Sequence, residues 1–155
     1  MTPFLFDYLP FKLNLWLAAR LLPVAAKRAE LSPLLAAAMP PSGRHPYAGQ
    51  STDAIVAAVK TTCAHPWRMR GRRCLREGLL TFRFLRAADI PATLHFGVDR
   101  RSMNAAKIRA HCWVSVGYEI VINPPEPDMI CIYSYDGRPD AAPVVKLSAE
   151  AVSNA

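Results

Sequence analysis

Two residues in contrasting settings offer chemistry. Cys74 opens a helical stretch rich in arginine and apolar residues, Arg73-Cys74-Leu75-Arg76-Glu77-Gly78-Leu79-Leu80, and His111 lies in a strand-like run, Ala110-His111-Cys112-Trp113-Val114-Ser115-Val116. A helix N-terminus and nearby cations favour a thiolate, and a strand holds an imidazole rigidly, which are the two needs of thiol nucleophilic catalysis. In that reading Cys74 is the nucleophile, His111 the general base and acid, and the Cys74 backbone N–H one oxyanion donor. The bland alternative for Cys74 is a small buried hydrophobe at a helix end.

The elements that must hold this pair follow from apolar periodicity. Phe11 to Leu22 and Val24 to Met39 read as two helices apolar on most faces, with Pro23 and Pro33 as breaks. The run Pro40 to Gln50 is rich in breakers and reads as a loop. Ser51 or Thr52 can cap the next helix, in which Ile55, Val56, Val59 and Cys63 share helical spacing and which ends before Pro66. In the Cys74 helix, Leu75, Leu79 and Phe82 form one row and Leu80 and Phe84 another, with Arg76, Arg83 and Arg86 assigned to the opposite, solvent side. Ala92, Leu94, Phe96 and Val98 alternate as in a half-buried strand, and Ile108–Val116, Glu119–Asn123 and Met129–Tyr135 are three further strand candidates.

Turn geometry bears on a third member of the site. If the loop is Val116-Gly117-Tyr118, Ser115 faces Glu119 and His111 stands opposite Asn123, whereas a two-residue loop puts His111 opposite Pro124. Asp128 lies near enough in sequence to serve as a substitute acid. Trp113, two residues beyond His111 on the same strand face, either walls the site and touches substrate or packs in the core. Cys112 points to the other face and reads as a core residue, as do Cys63 and Cys131.

Taken in order, Arg73-Cys74-Leu75, Asp89-Ile90-Pro91-Ala92-Thr93-Leu94-His95-Phe96-Gly97-Val98 and Ala110-His111-Cys112-Trp113-Val114 resemble the transglutaminase-like cysteine proteases. The closest likeness is to the leader peptidases of lasso-peptide biosynthesis, the "B protein" processing enzymes of bacterial antibiotic pathways, and it covers Ile55 to Asn123. It implies an α+β, papain-related fold with N-terminal helices and an antiparallel sheet, and a peptidase that needs no cofactor. The position of the family's orienting aspartate carries over to Asn123, where this chain departs from the pattern: an asparagine carbonyl can fix the imidazole tautomer but brings no charge. The implied partners are a precursor peptide, a separate leader-recognition protein, since no recognition module is evident in the chain, and an asparagine-synthetase-like lasso cyclase. Two other functions share the fold: a catalytically silent peptide-binding or scaffold protein, suggested by Asn123, and another acyl-transfer enzyme, in which an amine attacks the same thioester.

Bulk properties set the remaining bounds. At 155 residues the chain can bury about 68 to 70% of its unfolded surface. We divide it into an N-terminal helical region with its Pro-rich loop, 1–50, and a catalytic domain, 51–155. The net charge of +7 includes seven arginines between Arg68 and Arg86, and Arg73 and Arg76 are the expected substrate-binding members of that patch. Cys63, His65 and Cys74 lack the ligand spacing of a structural zinc site, so no metal is expected. The arginines carry no recognition-helix or aromatic-interleaved pattern for nucleic acid. Four cysteines without a signal peptide, and apolar stretches interrupted by charge, lead to the expectation of a cytoplasmic protein with free thiols and no transmembrane segment.

Overall fold

A computed structural model describes residues 8–28, 31–41, 43–64 and 72–138. Four helices precede a four-stranded sheet: α1 (Phe11–Arg28), α2 (Leu31–Ala38), α3 (Thr52–Cys63), α4 (Arg73–Ala87), β1 (Ala92–Asp99), β2 (Ala110–Val116), β3 (Glu119–Ile122) and β4 (Met129–Tyr135). The sheet is antiparallel throughout, in the order β3-β2-β1-β4. This is the expected α+β architecture. α3 begins as its sequence dictates, with the Ser51 side chain accepting a hydrogen bond from the Ala54 backbone N–H at 3.2 Å.

α4 lies at the centre, against α1, α2 and α3 on one side and β1 and β2 on the other. Its two apolar rows predict a one-sided helix; in the structure every residue from Arg76 to Leu85 is buried. Arg76 and Arg83 therefore do not face solvent, and the expected basic surface loses two of its members to the interior. Phe84 from α4 meets Phe11 from α1 and Tyr47 from the loop between α2 and α3, with ring centroids 5.4 to 5.7 Å apart. Residues from both sides of position 50 thus share one hydrophobic core.

Burial of Arg76 has a cause in α1, which continues past Pro23 instead of ending there. Proline has no N–H to donate to the carbonyl four residues earlier, so the Ala19 carbonyl loses its helical partner. The Arg76 guanidinium fills that role, donating from Nε at 3.2 Å and from Nη2 at 2.8 Å. The second proline, Pro33, falls in the first turn of α2, where no intrahelical acceptor would have used its N–H.

The β2–β3 hairpin corrects the expected register. Val116 pairs with Glu119 and Ser115 with Ile120, so the loop is the two residues Gly117-Tyr118, with Gly117 at φ +58°. The pairing then shifts so that Val114 opposes Ile122, a bulge that re-aims the chain just before the strand ends. Asn123 follows at φ +53°, a left-handed conformation that asparagine tolerates better than most residues.

Candidate active site

Cys74 is the second residue of α4. No carbonyl inside the helix can take the first-turn N–H groups, Arg72 supplies no side-chain cap, and the first turn carries no acidic residue, so the positive end of the helix is left to act on the sulfur. The thiol is partly exposed and opens into a pocket of about 420 Å³ lined by Lys60, Arg73, Cys74, Glu77, Asn123 and Pro124. Hydrogen bonding from the Cys112 thiol, then from the Cys112 backbone, together with the nearby His111, lowers the Cys74 thiol to about 5 against the opposing effect of burial. The direction of that shift favours the thiolate. Cys112 is pushed the other way, by its hydrogen bond with Cys74 and by burial, and keeps its proton.

His111 reaches Cys74 from β2. Its Nε2 lies 3.1 Å from the backbone carbonyl of Asn123, and a carbonyl only accepts, so that bond places the proton on Nε2 and leaves Nδ1 for the thiol. The Asn123 side chain does not orient the imidazole. Its Nδ2 instead donates to the Cys74 carbonyl at 3.1 Å. The left-handed turn at Asn123 thus ties His111 to α4, through its main chain on one side and its amide on the other. Asp128 is not a substitute acid: its carboxylate pairs with Arg101 at 2.9 Å.

The three residues expected to bind substrate fare differently. Arg73 borders the pocket, its Nε donating to Glu77 Oε1 at 2.7 Å. Arg76 does not border it, because it is buried against α1. Trp113 is buried as well, stacked between His111 and His95 with centroids 6.3 and 5.5 Å away, so it supports the His111 ring rather than forming the pocket wall. His95 is held by Ser134 and Ser115 hydroxyls at 2.7 and 2.8 Å.

Cys63 is buried, which pushes its thiol up to about 11 despite Arg76. His65, its neighbour in the zinc set that the spacing argues against, and Arg68 and Arg70 of the basic cluster lie outside the described residues. Among the described residues no group of three or more His, Cys, Asp or Glu is set to hold a metal.

Sequence reasoning missed four contributors. Lys60 and Glu77 border the pocket, the first from α3 and the second one helical turn after Arg73, a spacing visible in the sequence. The Asn123 carbonyl leaves no sequence signal, since any residue has one. Cys112 was legible only as a core cysteine; that its thiol touches Cys74 depends on how closely β2 and α4 pack.

A family model described as the transglutaminase-like superfamily matches residues 13–129. No curated protein and no solved structure matches the chain.

Proposed function

The chain belongs to the transglutaminase-like superfamily, and we propose that within it the protein is a bacterial, cytoplasmic cysteine peptidase that removes the leader from a lasso-peptide precursor. The observation that carries the reading is the juxtaposition of the Cys74 thiol, at a helix N-terminus and on the pocket, with an imidazole whose far nitrogen is fixed.

The Cys74 thiolate attacks the carbonyl carbon of the scissile bond, and the developing oxyanion is met by first-turn N–H groups of α4, the Cys74 N–H among them. The C–N bond breaks as protonated His111 gives its Nδ1 proton to the departing amine. Water then attacks the thioester while His111 takes its proton, releasing the leader's carboxylate and returning the thiolate. No cofactor enters these steps. Arg73 and Lys60 on the rim suit an acidic stretch of the leader.

The geometry speaks against a silent scaffold. Asparagine in place of aspartate at position 123 leaves His111 oriented, because a main-chain carbonyl carries that bond. Acyl transfer to an amine differs only in which nucleophile meets the thioester. A separate leader-recognition protein presents the precursor, and after cleavage the leader-free remainder, with its new amine, passes to an asparagine-synthetase-like cyclase.

The test is precursor processing followed by mass spectrometry. Wild type should yield leader with a free carboxylate, and folded Cys74→Ala and His111→Ala should yield none. Full activity of folded Cys74→Ala sinks the peptidase, and a leader joined to an amine identifies the transferase.

A further inference from the structure

We propose that the outward face of α1 docks the protein on a membrane surface that carries anionic lipid. This role is independent of the reaction at Cys74.

α1 is apolar on two faces, and the fold uses one of them. Leu15, Ala18, Ala19 and Leu22 are buried in the hydrophobic core. On the other side Leu13, Trp16 and Val24 are 46, 45 and 45% exposed. At the angular spacing of an α-helix these three residues and Arg20 fall within an arc of about 80°. A single exposed apolar side chain calls for no partner, but these line up along one stripe.

The charges of the helix have one sign. Its 18 residues include Lys12, Arg20, Lys27 and Arg28 and no Asp or Glu, in a chain whose net charge is +7. Lys12 is exposed one residue before Leu13. A surface of this kind suits an anionic partner, and the position of Arg20 decides which kind. It stands within the apolar stripe, between Trp16 and Val24, with its guanidinium over the Trp16 ring at 4.0 Å from the centroid. At a protein–protein contact a cation in the middle of an apolar strip must be desolvated and matched by a carboxylate at fixed geometry. In the headgroup layer it keeps its charge, because the arginine stem and the indole lie against the acyl boundary while the guanidinium stays among the phosphates. Tryptophan, apolar in body and polar at its N–H, favours the same layer. The contact is superficial. Among the described residues no helix is long and apolar enough to cross a membrane, and the inner face of α1 is committed to the core, so the helix lies along the surface.

Sedimentation of the full chain with lipid vesicles tests this and needs no substrate. The protein should sediment with phosphatidylcholine vesicles that contain about 30% phosphatidylglycerol, far less with pure phosphatidylcholine, and the difference should shrink as salt is raised. Replacing Leu13→Ser and Trp16→Ser together should lower the partition coefficient roughly tenfold. Replacing Lys12→Glu and Arg20→Glu together should lower it about as much and remove most of its salt dependence. Tyr118→Ser, which removes a fully exposed ring from the β2–β3 hairpin, should change nothing. If one of the two α1 variants melts early, the other decides. Wild type that stays in the supernatant, or that sediments equally with both vesicles, overturns the proposal, and so do folded α1 variants that sediment as wild type does or a Tyr118→Ser variant that loses binding as they should. Retention on immobilised poly-glutamate without sedimentation on vesicles also overturns it and assigns the stripe to an acidic protein.

Discussion

Asn123 does two things with different atoms, and substitutions separate them. Its carbonyl stays whatever the side chain, so Asn123→Ala and Asn123→Gly should both keep His111 oriented. Both lose the amide's bond to the Cys74 carbonyl, worth about 1 kcal/mol, and alanine adds about 1–2 kcal/mol for the left-handed backbone that glycine accepts freely. Glycine should thus be the more stable of the two in urea denaturation, with turnover in both reduced only several-fold. The family's carboxylate, judged from sequence, promises a gain in Asn123→Asp. In the structure that carboxylate would face a carbonyl oxygen beside the thiolate, so Asn123→Asp should raise the Cys74 thiol and shift the acid limb of kcat/KM upward. In wild type that limb should fall near pH 5: a lowered thiol loses its charge only as pH drops through that value, and activity goes with it. A limb near the ordinary thiol range would show that Cys74 is not held ionised. Cys74 and His111 were legible because their settings are local, a helix start and a strand. The role of Asn123 was not, since it depends on a bulge and a left-handed turn that shift the register after Val114.

At the scale of the element, α4 shows where periodicity misleads. Apolar rows identify a helix and its length, but a helix packed on two sides buries its polar positions too, and arginines read as a solvated face turn inward when a partner waits for them. For Arg76 that partner is the Ala19 carbonyl freed by Pro23, a link between α1 and α4 that spans 57 residues of sequence and that no local pattern reveals. The pairing has a thermodynamic signature. Arg76→Met keeps much of the packing but leaves the Ala19 carbonyl without this donor, a cost of about 1–3 kcal/mol. Pro23→Ala returns an N–H to that carbonyl, so Arg76→Met should cost less in the Pro23→Ala background, by about 1 kcal/mol in a urea double-mutant cycle. Strict additivity would mean that Arg76 is held in the core by other contacts and that Pro23 has no part in its burial.

Across the whole molecule, the strands and α3 were readable nearly residue for residue, because period-two alternation and a serine cap are strong local signals. The union of the N-terminal helices with the rest was not, since the core formed by Phe11, Tyr47 and Phe84 is made of contacts far apart in sequence. One consequence concerns substrate capture. The pocket at Cys74 is open and bordered by six residues, enough to hold the few residues around a scissile bond but too little surface to bind a long leader tightly. Under the proposed function, affinity for the leader would come from a second surface, and a separate leader-recognition protein would supply it by raising the local concentration of the scissile bond. Cleavage of precursor by the isolated chain should be slow and unsaturated at micromolar substrate. Adding the leader-binding protein should raise the rate by ~10²-fold or more, chiefly through a lower KM. The gain should vanish for a precursor cut short of the leader segment that protein holds, while the residual slow cleavage persists, since the thiolate and its histidine are unaffected. A chain that alone processes full-length precursor at its maximal rate would place leader binding on this protein and remove the need for the partner.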